Sequence, residues 1–370
     1  MIFNCIFLLL FQESKIIKVI SKKVTRKAIE MIRTLARTEW PAIDEDTGEP
    51  LEDDLTEHPY ITWYEKFHPA LKRGVLEDPA NQKRILKLLR YKTTKLGGTE
   101  YRSLEEIAAD MKDWQDDFYF IAGSDLEEVQ KSVFLQKFNA KGIEVMLLTD
   151  PFDEYLLQNL SDFEGHRFTS ITQDGIKFED EDQDLVKRRS KAYNAKFKPL
   201  VKYLKKLYGD AVSRVTISER LVDDPAVMSN AAYAHSANME RVLKAQAHQH
   251  GQNPDQYQSH KIFEINPRHP FVASLLALVD ELEEDEVDKT TDDAAWMLHD
   301  LALLNSGYSI SDIESYSNRM TRVIQNVLSV ESLDLEEELD VPVEEEVPPI
   351  EDGDEFGEEF VDMDMDREEL

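Results

Sequence analysis

The chain has 370 residues, and 41% of them are hydrophobic, which is enough to bury a sizeable core and to build two or three domains. Its formal charge is −32, but the last forty residues hold 20 acidic side chains against the single Arg367, which leaves −13 for the other 330 residues. This balance argues against nucleic acid as a partner of the chain and says little about its folded part.

The first eleven residues, MIFNCIFLLLF, are mostly apolar and contain Cys5, the one cysteine of the chain, so no internal disulfide can form. The run is far shorter than the roughly 20 residues that a membrane span needs, and no membrane insertion is expected. Three interpretations stay open: a signal peptide without a basic leader, a buried strand, or a wrongly chosen start of a longer protein.

A helical pattern begins at Ser14. Apolar residues recur at three- and four-residue spacing from Ile17 to Leu35, and lysines and arginines fill the other faces, which predicts an amphipathic helix. Its basic exterior is either a solvated surface or a surface for an acidic partner or a nucleotide phosphate. Farther along, Asp78 and Pro79 predict another helix, with Asp78 as its N-cap.

Between Tyr101 and about Asp180 the pattern changes to that of a small α/β domain. DFYFIAG and GIEVMLLTD read as buried strands, and the helix LEEVQKSVFLQKF between them opens with a capping box of Ser124 and Glu127. This order predicts a parallel strand pair. Asp150 and Pro151 predict a further helix start, RFTSIT and GIKF predict short strands, and phosphate-binding glycine motifs are absent from the sequence.

The remaining segment predicts a mixed α/β unit that ends in helices. A helix around Leu200, the β-rich stretch VSRVTISERLV, the helix SANMERVLKAQA and the stretch KIFEINPRHP lead into three apolar helical segments. A terminal helical hairpin of this kind packs either on its own domain or, as we expect here, on a second copy of the chain. The residues that we expect at this dimer interface are Trp296, Leu298, Leu301, Leu304, Ile324 and Leu328. Beyond Val330 the composition predicts a disordered acidic tail.

Catalytic chemistry has little support in the sequence. No serine lies in a nucleophile-elbow motif, and Cys5 lies in an apolar run. His248 and His250 could bind one metal with His260 or His269, but a polar loop explains them equally well, and no metal site is predicted. Residue types and spacing alone therefore favour an interaction protein over an enzyme.

The helix SANMERVLKAQA offers one candidate interaction surface. Met239 and Leu243 lie on its apolar stripe, and Tyr233 and His235 lie just before it. Methionine adapts to irregular apolar partners, which suits a surface that accepts unfolded segments. Ordinary core packing of Met239 is the alternative.

Several long stretches together resemble the C-terminal half of the heat shock protein 90 family. They are YEKFHPALKRGVLEDPANQKRILKLLRY, LLTDPFDEYLLQ, SANMERVLKAQA, FEINPRHP and LLNSGYSISDIESYSNR, in the family's order, and the resemblance runs from about Gln12 to Val330. It implies an α+β fold with helices at 14–100, a small α/β subdomain at 101–182, a C-terminal dimerisation domain at 183–330 and an acidic tail at 331–370, after an atypical start at 1–13. In this family the two prolines of PRHP set a rigid turn and a helix start.

The resemblance also implies a function. Family members are dimeric chaperones that bind partly folded client proteins and are driven by ATP and Mg²⁺ in the full-length protein. The family's client-contact region maps onto Tyr233, His235, Met239 and Leu243, and relatives carry a tryptophan where this chain has His235. Gln12 matches a glutamine of the family's catalytic loop, but the loop's arginine position is Leu8 and no nucleotide-binding domain precedes it, so this chain is not expected to hydrolyse ATP and needs no cofactor itself.

Two features resemble the endoplasmic-reticulum members of the family. They are the loop HQHGQNPDQYQSH and the end Arg367, Glu368, Glu369 and Leu370, which is similar to KDEL-type retrieval signals and would bind a retrieval receptor. We therefore expect the reticulum lumen, with the cytoplasm as the alternative. Asn159 begins a glycosylation sequon. The rival interpretation is a dimeric scaffold without ATP hydrolysis, or a dominant-negative partner of full-length chaperone.

Overall fold

The N-terminal helices of the chain pack on each other ahead of a mixed sheet. The computed structural model describes residues 15–38, 58–231, 234–282, 288–335 and 338–339. The first helix of the described residues, α1, is Lys15–Ala36, as its amphipathic pattern predicts, and it lies against α2 (Pro59–Glu77). Its buried Ile29 joins a core that α2 shares.

The predicted helix start at Asp78 is wrong. Asp78 ends α2, and its carboxylate accepts hydrogen bonds from both the backbone and the side-chain nitrogen of Asn81, at 3.2 and 2.7 Å. These bonds hold residues 79–81 in a turn, so α3 begins only at Gln82 and ends at Leu86.

A mixed sheet follows, and its described strands lie in the order β2-β1-β4-β3-β5. They are β1 (Arg90–Thr93), β2 (Tyr101–Ser103), β3 (Asp117–Ala122), β4 (Val145–Leu148) and β5 (Arg167–Ser170). Strand β3 pairs in parallel with β4 and β5, which confirms the predicted parallel pair, whereas β1 is antiparallel to β2 and β4.

Both faces of this sheet are buried, because successive residues of a strand point to opposite sides. Phe118 and Phe120 of β3 enter the core that contains α1 and α2. Tyr119 and Ile121 enter a second core on the other face, with Phe138 at its centre.

The helices around the sheet are α4 (Leu104–Ala109), α5 (Leu126–Gln130), α6 (Leu135–Lys141) and α7 (Pro151–Gln158). The predicted single helix between β3 and β4 is thus broken into α5 and α6. Val129, Phe134 and Leu135 are all buried in one core, and on an unbroken helix of 3.6 residues per turn they would point to three different sides.

Three local predictions of this region have different outcomes. The predicted N-cap, Ser124, is wrong by one residue. Asp125 caps α5 instead, by accepting a hydrogen bond from the Glu128 backbone nitrogen. Asp150 caps α7 as predicted. The stretch GIKF is not a strand, because the chain pairs nearby only through a single bridge from Gln173 to Asn230.

The C-terminal part is built on a smaller sheet with the strand order β6-β8-β7. Its elements are α8 (Gln183–Lys196), α9 (Lys198–Tyr208), β6 (Arg214–Ile217), β7 (Ala226–Asn230), α10 (Ala237–Gln249), β8 (Lys261–Ile265), α11 (Pro270–Glu281), α12 (Lys289–Asn305) and α13 (Ile313–Leu328). The sequence analysis did not predict β7. The stretch FEINPRHP ends β8, and His269 then caps α11, whose first residue is Pro270, so the two prolines set the turn and the helix start as expected.

The chain divides into one compact unit that ends at Arg322 and a second that begins at Val323. The succession of helices, a mixed sheet and a second, smaller sheet confirms the predicted α+β class.

A buried ion pair joins the two sheets. Alternation along β8 sends Phe263 and Ile265 into the C-terminal core and Glu264 to the opposite face. There the Arg220 guanidinium donates to Glu264 at 2.7 Å and to the backbone oxygens of Ile171 and Gln173, just after β5, at 2.6 and 2.8 Å. Both charged side chains are less than a tenth exposed.

Removing one partner of this pair should destabilise the fold strongly. Glu264→Ala leaves the Arg220 charge buried without its counterion, which should lower the free energy of unfolding by about 3–5 kcal/mol, measured by urea denaturation.

The matched control is Arg214→Ala, because Arg214 also forms an ion pair across the sheets, with Asp174, but is 55% exposed. This change should cost less than about 1 kcal/mol. Equal losses in the two variants would contradict the assigned role of Arg220 and Glu264.

Candidate functional site

Helix α10 carries the residues that the sequence analysis singled out for binding. Ser236 caps it by accepting a hydrogen bond from the Met239 backbone nitrogen at 3.1 Å. The helix packs on α7 and on the short turn at Pro254–Tyr257. In addition to the apolar stripe of α10, buried polar side chains hold the helix on these neighbours.

Glu154 of α7 is the first of these groups. It is fully buried, and its carboxylate accepts hydrogen bonds from Asn238 at 3.1 Å and from Gln158 at 3.2 Å. Asn238 in turn accepts from Arg241 at 2.8 Å. Burial raises the pKa of Glu154, and the hydrogen bonds from Ser236 and Asn238 offset only part of that effect.

Glu240 fixes the other side of α10. Its carboxylate contacts Lys244 at 2.7 Å and Lys261 of β8 at 3.4 Å, and it accepts a hydrogen bond from the Ser259 backbone nitrogen at 3.0 Å. Burial opposes ionisation of Glu240, but the two lysines and the hydrogen bonds outweigh it, and the pKa is lowered. The sequence analysis missed Glu154 and Glu240, since carboxylates are too common in this chain for any one to stand out.

The predicted client-contact residues lie in different environments. Tyr233 is outside the described residues. His235 is exposed, and its backbone oxygen accepts a hydrogen bond from Ser259 at 2.8 Å. Leu243 is half-buried, whereas Met239 is only 8% exposed and so lies within the protein in this conformation.

The residues predicted at a dimer interface also separate into two groups. Leu298 is 1% exposed and belongs to the core of its own chain. Trp296 is half-buried, with its ring 5.1 Å from that of Tyr208 and beneath the Arg319 guanidinium. Leu298 and Trp296 thus pack on the core of their own chain and hold α12 in place.

The other four predicted interface residues are exposed. Leu301 and Leu304 of α12 are 43% and 50% exposed, and Ile324 and Leu328 of α13 are 51% and 66% exposed. The first half of α13 is tied to α12 by Arg322, which donates to both carboxylate oxygens of Asp293 at 2.6 Å. Each helix thus presents large apolar side chains to solvent.

Some predicted site residues lie outside the described ranges. They are Gln12, Leu8 and the terminal Arg367, Glu368, Glu369 and Leu370. The side chain of Leu8 carries neither a charge nor a hydrogen-bond donor for a phosphate.

Other surface features carry less weight. Asn159 is exposed at the end of α7, and its amide donates to the Tyr155 backbone oxygen at 2.7 Å. Within the described ranges, no three metal-ligating side chains come together, the histidines of AHQH included. No helix in those ranges has both the length and the apolar character of a membrane span.

Comparison with known proteins gives consistent results. The family model described as Hsp90 protein matches residues 9–353. The endoplasmin homolog of Arabidopsis thaliana is 33% identical over 326 residues, which cover 87% of this chain and 38% of that relative. Heat shock protein 83 of Leishmania donovani is 33% identical over 327 residues, which cover 88% of this chain and 66% of that relative. The chain thus spans only part of the length of either relative.

The buried carboxylate of Glu154 generates a pH prediction. The pKa of Glu154 is higher in the folded state than in the unfolded state. The folded state therefore loses stability as the pH rises from the unfolded pKa through the folded pKa. Glu154→Gln removes the charge and keeps an oxygen for Asn238, so the variant should be more stable than the natural chain at neutral pH. Thermal unfolding measured across pH should show this advantage disappearing in acid, below the ordinary glutamate pKa.

The control is Glu105→Gln, since Glu105 is 40% exposed and paired with Lys87 on the surface. This change should alter the free energy of unfolding by less than about 1 kcal/mol, because the pair lies at the surface. An advantage of Glu154→Gln that is the same at every pH would contradict the role given to burial.

Proposed function

The chain belongs to the Hsp90 protein family, and on this premise we propose that it acts in a dimeric molecular chaperone that binds partly folded client proteins. The family match over most of the chain carries this proposal. The chain spans 38% and 66% of the two relatives, so the ATP-driven cycle of the whole protein is part of the proposal as well.

The exposed apolar residues of α12 and α13 support the dimer. Large side chains such as Leu301, Leu304 and Leu328 are costly to leave in water, and residues of this kind at a chain's last helices commonly bury against a second copy. Leu298 and Trp296 hold α12 in place from the other side.

Client binding is proposed at the entry to α10. His235 is exposed there and Leu243 is half-buried, while the polar contacts of Asn238 and Glu240 hold the helix rigidly on its neighbours. His235 and Leu243 thus offer a small, partly apolar area to a client segment. Met239 is buried and Tyr233 lies outside the described residues, so the exposed part of the proposed surface is at His235 and Leu243.

We place the chaperone in the lumen of the endoplasmic reticulum. The C-terminal REEL, which would bind a retrieval receptor, and the likeness to the endoplasmin homolog support this location. The equal identity to heat shock protein 83 favours the cytoplasm as the alternative. Microscopy of an internally tagged chain with and without Arg367–Leu370 distinguishes the two, because retention in the lumen should be lost with these residues.

The position of Leu8 favours one alternative function. A dimeric scaffold, or a dominant-negative partner of full-length subunits, needs no phosphate-binding arginine. Purification of the tagged chain from its own cells tests this alternative, since a full-length relative should co-purify with a dominant-negative partner and not with a scaffold made of two copies of this chain.

Charged residues in α12 should disrupt the dimer. The double change Leu301→Glu and Leu304→Glu places two carboxylates in a contact meant for apolar groups, which should weaken dimerisation by roughly 100-fold or more. Sedimentation velocity over a range of concentrations measures this change.

Leu278→Glu is the matched control, because Leu278 of α11 is 43% exposed, the same as Leu301. It should leave the dimer intact. A double variant that sediments as the natural chain does would rule out α12 as the interface.

An aromatic residue at position 235 should strengthen client binding. His235→Trp enlarges the apolar contact area, which should tighten binding of a heat-unfolded model protein by roughly two- to tenfold. Fluorescence anisotropy of the labelled client measures the affinity, and suppression of its aggregation gives a second readout.

His248→Trp adds the same ring at an exposed site near the other end of α10 and should have little effect. Leu243→Glu should weaken binding while leaving sedimentation unchanged. Equal gains from the two tryptophans would show that a ring anywhere on the helix suffices, and would refute the assigned surface.

A further inference from the structure

A concave groove runs along α8, and none of its lining residues lies on α10 or α12. Its volume is about 390 Å³, within the range of roughly 300–1,000 Å³ typical of ligand sites. The other walls are the turns at 217–222 and 266–268. The apolar part of the lining comes from Leu185, Val186, Tyr193, Ile217, Leu221 and Val222. Leu185 and Val222 are 42% and 41% exposed.

Two arginines at this groove have free guanidinium groups. Arg189 of α8 and Arg268 of the second turn both line it and are exposed. In the part of the chain that the structure describes, neither guanidinium makes an ion pair or a hydrogen bond, although the Arg268 backbone nitrogen donates to Asn266. A guanidinium binds a carboxylate through two parallel hydrogen bonds, so each arginine is able to receive one.

Most acidic groups of the lining are already engaged. Glu181 contacts Lys137 at 2.9 Å and Lys141 at 3.1 Å, and these lysines lower its pKa in spite of burial. Asp182 caps α8 by accepting hydrogen bonds from two backbone nitrogens. Glu219 is the one lining carboxylate without such a partner among the described residues, so the free charges are two arginines against one glutamate.

The surroundings strengthen this local positive charge. Residues 183–208 hold nine lysines and arginines against the single acid Asp184, in a chain with a net charge of −32. The exposed cations on α8 beside the groove are Lys187, Arg188 and Lys191. A basic surface on a strongly acidic protein attracts acidic groups over a short distance only, because the rest of the chain repels large polyanions.

We propose that this groove docks an acidic segment of a partner protein, which inserts apolar side chains between α8 and the two turns and places carboxylates on Arg189 and Arg268. The apolar walls favour a peptide over nucleic acid, which would leave them uncovered. The concave shape excludes a flat lipid surface. The inference is independent of client binding and dimerisation, whose residues lie on other helices.

A fluorescein-labelled short peptide, with leucines on one helical face and glutamates elsewhere, serves as the probe. Fluorescence anisotropy with the full chain should show saturable binding. Arg189→Gln and Arg268→Gln should each weaken this binding by roughly three- to tenfold, because each removes a charged donor. A urea midpoint equal to that of the natural chain verifies that each variant is folded.

Arg188→Gln is the matched control. Arg188 is the neighbour of Arg189 on α8 and does not line the groove, and among the described residues its side chain donates only to the Asp184 backbone oxygen, at 3.3 Å. It should weaken binding of the probe much less than Arg189→Gln does, because Arg188 adds to the surrounding charge without lining the groove, and a second peptide with serines in place of leucines should bind at least roughly tenfold more weakly. Equal losses from Arg188→Gln and Arg189→Gln, equal binding of the serine peptide, equally tight binding of single-stranded DNA, or no binding of the leucine peptide would each overturn the proposal.

Discussion

The contact between Arg220 and Glu264 is the constraint on which the arrangement of the two sheets depends. A buried guanidinium needs its counterion and its full set of acceptors, so Arg220 fixes the position of β8 and of the backbone after β5 together. Val227 of β7 adds apolar packing at the same junction, since it enters the core beneath the larger sheet while Ala226 and Met228 enter the C-terminal core. The two α/β parts of this unit are therefore joined by both polar and apolar contacts.

Helix α7 makes two further connections through Asp153 and Glu154, which are adjacent acidic residues that point to opposite sides. Asp153 points toward α2, where Lys72 contacts it at 2.8 Å, and burial raises its pKa to about 6 even though the Lys72 charge opposes the shift. Glu154 points toward α10 and holds Asn238. One turn of α7 thus contacts both α2 and the proposed client-binding helix through buried carboxylates, each of which is costly to leave without a partner.

Surface charge and apolar exposure separate the proposed functions in space. The apolar residues left in solvent on α12 suit a second copy of the chain, whereas the free arginines beside α8 suit an acidic partner. Neither surface includes His235 or Leu243. Three kinds of contact, with a subunit, a client and an acidic segment, could therefore be made by different helices of the same chain.

The sequence by itself determined the fold class, most helices, the parallel pairing of β3 with β4, and the turn at Pro267 and Pro270, because these follow from local periodicity and from the fixed backbone angle of proline. It also determined the family, through long stretches in the family's order. Only the tertiary structure decided that Asp78 ends a helix, that α5 and α6 are separate, and that β7 exists, since these depend on which side chains share a core. It alone showed Met239 and Leu298 to be buried while Leu301 and Leu304 are exposed, and it alone identified Arg220, Glu154 and Arg189. The sequence does not distinguish a buried, paired charge from a solvated one, because the burial and the partners of a charged residue come from distant parts of the chain.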